Sequence, residues 1–158
     1  MKNKNSEIHP QLRFFAAFKP RLKLNRTSAI LINRILPWVI WPRSNRKVAI
    51  ENIWIEGQDG QPRLRLRIYR PKNAANPAPA MLWLHGGGYV IGTPEIDDRA
   101  CIEFARSLGL IVVSVDYRLA PQHPFPAALE DAWSALIWMA DHSQKLALDP
   151  ARISIGGA

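Results

Sequence analysis

Residues 80–120 read AMLWLHGGGYVIGTPEIDDRACIEFARSLGLIVVSVDYRLA. Ala80 to Leu84 is a short apolar strand. Glu95 to Leu108 carries Ile96, Ala100, Phe104 and Leu108 at helical spacing and stops at Gly109, and Leu110 to Val115 is a continuously apolar strand. A strand with no polar alternation is one covered on both faces, and strand, helix, strand in succession is the mark of a parallel sheet built from crossover units. Downstream, Pro126 opens a second helix over Ala127 to His142, and Ile153 to Ile155 begins a third parallel strand. The pattern predicts an α/β architecture.

Upstream the period changes. Val48 to Glu56 places Val48, Ile50, Asn52 and Trp54 on one side and Ala49, Glu51, Ile53 and Ile55 on the other. In Arg63 to Arg70, Leu64, Leu66 and Ile68 oppose Arg63, Arg65 and Arg67. With the turn-rich GQDGQP between them, these runs predict an antiparallel hairpin with one wet face at the edge of a sheet. Pro71 to Pro79 is a loop. Ala29 to Trp41 (AILINRILPWVIW) is too short to span a membrane and contains Asn33, Arg34 and Pro37. It predicts a short helix from an N-cap at Ser28 to Leu36, broken at Pro37 and buried against the domain, with an interfacial helix as the other reading.

The 158 residues, 47% hydrophobic, suffice for one domain with a sizeable core. The formal charge of +8 is local: residues 1–50 hold eleven Lys or Arg and one acid, Glu7, whereas residues 51–158 hold ten bases and twelve acids. The segment 1–47 therefore reads as a basic, partly helical cap piece and 48–158 as the start of the α/β domain. The basic residues form no known nucleic-acid module, so no nucleic acid is expected, and peripheral membrane contact through residues 1–50 is the other use of such charge. A lone cysteine, Cys101, forms no internal disulfide, and no Cys–His cluster has metal-ligand spacing. A reducing, cytoplasmic location is expected, with neither metal nor organic cofactor.

Chemistry-bearing residues gather at the strand ends. His85-Gly86-Gly87-Gly88-Tyr89 follows the first parallel strand directly, and three successive glycines let a backbone approach a ligand with its N–H groups turned outward. Fixed N–H donors of this kind stabilise the oxyanion that forms in acyl transfer. The competing reading, a phosphate loop, is weakened because the chain contains neither GxGxxG nor GK[ST]. Asp116-Tyr117-Arg118-Leu119-Ala120-Pro121 leaves the second strand, Phe125 to Asp131 opens the next helix, and DPARISIGGA closes the chain.

These four ordered motifs, over Ala80 to Ala158, resemble the hormone-sensitive-lipase-like esterases of the α/β-hydrolase superfamily, with an N-terminal helical cap segment. The resemblance implies that Gly87 and Gly88 are oxyanion donors, with Gly86 and His85 shaping the loop. Asp116, Tyr117, Arg118, Pro121, Glu130 and Asp131 are implied to form a structural cluster fixing the loop after the strand. Gln122 departs from the glutamate common in the family, which puts one local salt bridge in doubt. His9, His123 and His142 match no catalytic position. Gly156 and Gly157 match the start of the nucleophile elbow G-x-S-x-G, so the nucleophile is expected immediately after Ala158, with the acid and histidine further on.

The expected activity is hydrolysis of a small carboxylic ester through an acyl-enzyme. Residues 1–158 are read as truncated at the elbow, with no catalytic triad residue present, inactive alone and prone to self-association. Two other function classes fit the same residues. One is a non-catalytic ligand-binding member of the fold, as the gibberellin receptor is; the other is a basic fragment that binds membrane surfaces.

Overall fold

The computed structural model describes His9, residues 25–41 and residues 43–158; apart from His9, the basic run before Asn25 lies outside the described residues. Helix α1 spans Arg26–Val39 and is followed by strands β1 (Val48–Ile55), β2 (Leu64–Pro71) and β3 (Ala78–Leu84). A 3-10 turn over Pro94–Asp97 leads into α2 (Asp98–Leu108), then β4 (Ile111–Asp116), α3 (Ala127–Asp141), the short α4 (Ser143–Leu146) and β5 (Leu148–Gly157).

The five strands form one sheet in the order β1-β2-β4-β3-β5. β1 and β2 are antiparallel, β2 pairs antiparallel with β4, and β3 pairs in parallel with β4 and with β5. After β3 the chain crosses to one neighbouring position through α2, then passes back over β3 to the other through α3 and α4. The loops that leave β3 and β4 therefore diverge at a crevice beyond the carboxyl ends of the parallel strands, which is where such sheets bind ligands.

Side-chain alternation assigns the two faces. Leu64, Leu66 and Ile68 of β2, Leu82 of β3 and Ile111, Val113 and Val115 of β4 pack with Ala135 and Met139 of α3. Tyr69, Trp83 and Val112 point the other way, against Cys101, Ile102 and Ala105 of α2. β4 is buried on both faces from Ile111 to Val115, as its largely apolar run predicts, with Ser114 the one polar side chain enclosed in it.

Several local readings are corrected. The N-cap of α1 is Asn25, whose side chain accepts from the Ser28 N–H at 2.8 Å, while the Ser28 hydroxyl accepts from the Asn25 N–H at 3.0 Å. Ser28 is thus the third helical residue of a capping box. The helix also runs through Pro37 to Val39; so near the end a proline removes one hydrogen bond, and the Ile40 N–H still reaches the Leu36 carbonyl at 2.9 Å. Burial of α1 holds for Ala29, but Leu31, Ile35, Trp38, Val39 and Trp41 are exposed. On α2 the buried stripe is Asp98, Cys101, Ile102 and Ala105, one step round from the predicted stripe, whose Ile96 and Leu108 are exposed. The expected stop does form, with Gly109 left-handed at φ 66°.

A further correction concerns the wet face of the hairpin. β1 is the edge, but β2 lies inside the sheet, and Arg67 is 4% exposed. Its guanidinium donates to Asp98 at 2.8 and 3.0 Å, and Asp98 is 0% exposed; it also accepts from the Tyr69 hydroxyl at 2.7 Å and the Arg43 N–H at 2.7 Å. The arginine side of β2 is thus an ionic layer under α2, in which Asp98, 31 residues away, satisfies Arg67. Among the described residues, no helix is long and apolar enough to cross a membrane.

Candidate active site

The loop after β3 is set by two peptide planes. Gly86 C=O is hydrogen-bonded to Nδ1 of His85 at 2.9 Å, which places the proton on Nδ1, and a trans peptide then points the Gly87 N–H to the opposite side. Gly87 C=O accepts from the N–H groups of Val90 and Ile91, each at 3.2 Å, so the Gly88 N–H is likewise turned away. Gly87 has φ 124°, and a Cβ there would fall onto the Ile91 carbonyl oxygen, so only glycine fits. Among the described residues neither Gly87 N–H nor Gly88 N–H donates to a protein acceptor, and both glycines are exposed.

His85 is a wall of this loop. It is buried, stacks on Tyr117 with ring centroids 4.2 Å apart, and its backbone carbonyl accepts from the Tyr117 hydroxyl at 2.6 Å. Burial pushes its imidazole below the ordinary histidine range, and so it stays neutral with Nδ1–H directed at Gly86. Burial, with the nearby Tyr89 and Asp97, pushes the Tyr117 phenol up to about 12, which keeps its donor proton in place. Asp97, at the end of the 3-10 turn, accepts from the Gly86 N–H at 3.1 Å and the Trp83 indole N–H at 2.9 Å.

The end of β5 approaches from the other side. The Ala158 N–H donates to the Leu84 carbonyl at 3.2 Å, and a Cβ on Gly157 would lie 3.0 Å from that same oxygen. Gly156 packs against Met81 and Trp83 with equally little room. The absence of side chains brings this strand end beside the loop, and a cavity of about 370 Å³ opens between them, lined by His85, Gly88, Tyr89, Tyr117, Gly157 and Ala158.

The residues after β4 divide into two groups. Arg118 donates to Asp131 at 3.0 Å through Nε and lies 3.3 Å from Glu130, and the Arg118 N–H donates to Asp131 at 2.7 Å; these contacts tie the segment leading to Pro121 onto the first turns of α3. Asp116 is not in that group. It accepts from Nε of Arg65 at 2.8 Å, and Arg65 reaches on to Thr93 and Glu95. His123 is exposed, and His142 lies at the end of α3, its Nδ1 3.0 Å from the Trp138 carbonyl. Among the described residues no group of His, Cys, Asp and Glu is arranged to hold a metal ion.

Sequence reasoning missed Asp97, Glu95, Arg65 and Asn33. The charge alternation of β2 beside the acidic run Glu95-Ile96-Asp97-Asp98 was the available signal for the first three. Burial alone would raise the Glu95 carboxyl, but hydrogen bonds from Arg65 and Thr93 outweigh it and hold the group at about 2 against an ordinary 4.5. A depressed carboxyl contributes its stability in full above the unfolded value and loses it as pH falls through the folded one. The urea midpoint of the wild-type protein is therefore expected to fall between about pH 4.5 and pH 2 more steeply than that of Glu95→Gln. Parallel curves would remove Glu95 from the acid response.

Comparison with known proteins places this geometry. Residues 81–158 match the family profile described as the alpha/beta hydrolase fold. Esterase LipI of Mycobacterium tuberculosis is 42% identical over 113 residues, 70% of this chain and 35% of that protein. Ethyl acetate hydrolase of Pseudomonas putida is 38% identical over 110 residues, 68% of this chain and 34% of its own. Among solved structures, bacterial heroin esterase superposes with a TM-score of 0.83 at 34% identity, covering 98% of this chain and 50% of that one. The chain belongs to the carboxylesterase-type α/β-hydrolase family, the group similar to hormone-sensitive lipase. It spans about a third of the length of the curated relatives named here and half that of the solved structure.

Proposed function

We propose that the intact protein hydrolyses small carboxylic esters, with the Gly87 and Gly88 N–H groups holding the oxyanion of the tetrahedral intermediate. The observation that carries this reading is the pair of peptide planes turned by His85 Nδ1–H and by Val90 and Ile91, which leave both donors unspent among the described residues, with Gly88 lining the cavity. The nucleophile is assigned to the residue after Ala158, a serine by family pattern, activated by a histidine and oriented by an acid later in the chain. Serine adds to the ester carbonyl, the collapsing intermediate expels the alcohol with a proton returned from histidine, and water then cleaves the acyl-enzyme.

An adjoining apolar cavity of about 480 Å³, lined by Leu84, Tyr89, Ala120, Phe125, Pro126 and Leu129 among others, suits a hydrocarbon part of the substrate. Arg118, Glu130 and Asp131 act through packing, by holding the 117–126 segment that walls this cavity.

The test is Gly87→Ala in the complete gene product. A Cβ against the Ile91 carbonyl must rotate the 86–87 peptide, and kcat for p-nitrophenyl butyrate should fall about 10²–10³-fold, the usual loss for one oxyanion donor. An unchanged kcat in a folded variant would refute the assigned oxyanion hole. Saturable ester binding without turnover by the wild-type protein would instead favour the receptor reading.

A further inference from the structure

The loop that presents the oxyanion donors is held from outside the sheet by a single side chain of α1. Asn33 Nδ2–H donates to the Val90 carbonyl at 2.8 Å, and the Gly92 N–H donates to Asn33 Oδ1 at 3.2 Å. One amide therefore grips the backbone on both sides of Ile91, across 57 and 59 residues of sequence. Val90 C=O can only accept and Gly92 N–H can only donate, so this amide orientation alone satisfies both.

Ile91 is the residue on which the donor geometry turns. Its N–H, with that of Val90, fixes the Gly87 carbonyl, and the peptide carrying that carbonyl also carries the Gly88 N–H. The Ile91 carbonyl oxygen lies where a Gly87 side chain would be, so it sets how closely the loop folds on itself. A Cβ built on Gly88 meets no atom within 4 Å, so packing does not hold this residue, and on its far side the Tyr89 carbonyl accepts from the Ala120 N–H at 2.8 Å. The rest of α1 contributes little to this end of the molecule, with Leu31, Arg34 and Ile35 exposed around Asn33.

We infer that Asn33 is a positioning residue for catalysis, which clamps Val90 and Gly92 and thereby aims the Gly88 N–H at the oxyanion. This rests on the esterase reading above. It gives the N-terminal helix a part in the chemistry although it touches no reacting atom, because a donor displaced by a fraction of an ångström loses much of its value in the transition state.

The experiment compares Asn33→Leu, Asn33→Asp and Arg34→Ala with wild type in the complete gene product. It measures kcat and KM for p-nitrophenyl butyrate, melting temperature, and amide hydrogen exchange of the segment 85–92. Asn33→Leu removes both contacts at similar volume and should lower kcat about 10- to 100-fold, with KM changed less than about twofold. Asn33→Asp keeps the acceptor for Gly92 and should fall between, and Arg34→Ala should match wild type. The segment 85–92 should exchange faster in Asn33→Leu. If Asn33→Leu does not fold, Asn33→Asp at wild-type melting temperature carries the test. A kcat equal to wild type, or an effect confined to KM, overturns the inference. If wild type itself does not turn over esters, the esterase reading has failed and the catalytic part of the inference with it, while unchanged exchange in 85–92 would overturn the clamp itself.

Discussion

In the complete gene product, alanine in place of the serine expected at position 159 is expected to lower kcat for p-nitrophenyl butyrate by about 10⁶-fold, because in the proposed mechanism nucleophile and base act as a unit and an oxyanion hole has nothing to stabilise without an attacking oxygen. The motive is geometric as well as familial. Gly156 and Gly157 let β5 run tight against Met81, Trp83 and Leu84, and the Ala158 N–H closes onto Leu84 at 3.2 Å. A Cβ on Gly86 would lie 3.4 Å from the Ala158 Cβ, so a residue following Ala158 would begin at the mouth of the loop after β3. A polypeptide of residues 1–158 is expected to hydrolyse the same ester no faster than its own double variant Gly87→Ala, Gly88→Ala. Turnover that survives the serine change, or glycine-sensitive turnover by residues 1–158, would assign the nucleophile elsewhere.

Asp98→Ala is expected to cost about 3–5 kcal/mol of folding stability, the range for breaking a buried ion pair from one side. Set against a total of about 5–15 kcal/mol, this leaves the protein marginal at best. Asp98 accepts two hydrogen bonds from Arg67 and one each from the Tyr69 hydroxyl and the Arg43 N–H, all within 3.0 Å. Its removal strands the Arg67 guanidinium between β2 and α2, with the Asn52 side chain at 3.2 Å and Glu95 at 3.7 Å as its remaining partners. Asp98→Asn keeps the shape and an acceptor, and should cost less. Urea denaturation of both variants in the complete gene product decides the point: a loss under about 1 kcal/mol for Asp98→Ala would mean that water replaces the carboxylate without penalty.

Helix and strand signals reach only a few residues along a chain, and what they reach was legible here. The apolar run of β4, the left-handed stop at Gly109, the opening of α3 behind Pro126 and the glycine turn after β3 each follow from a local constraint on φ, ψ or burial. The motifs at the strand ends likewise carried the family without coordinates, because a glycine loop and a tight strand end are short, contiguous pieces of backbone. What lay beyond them was pairing. Arg65 and Arg67 look solvent-facing on a strand, and nothing within several residues says otherwise; their partners Glu95, Asp98 and Asp116 stand 30, 31 and 51 residues away. The crossover through the 3-10 turn and α2 brings Glu95 and Asp98 over β2, and the antiparallel pairing of β2 with β4 sets Asp116 opposite Arg65. The same holds for Asn33, whose helix reads in sequence only as a short piece buried against the domain until the sheet delivers Val90 and Gly92 to its side chain. Local sequence thus determined the elements and the backbone motif to which the chemistry is assigned. Tertiary structure decided which charges are buried and what holds the motif still, since both depend on contacts whose two halves are unrelated in sequence until the chain has closed.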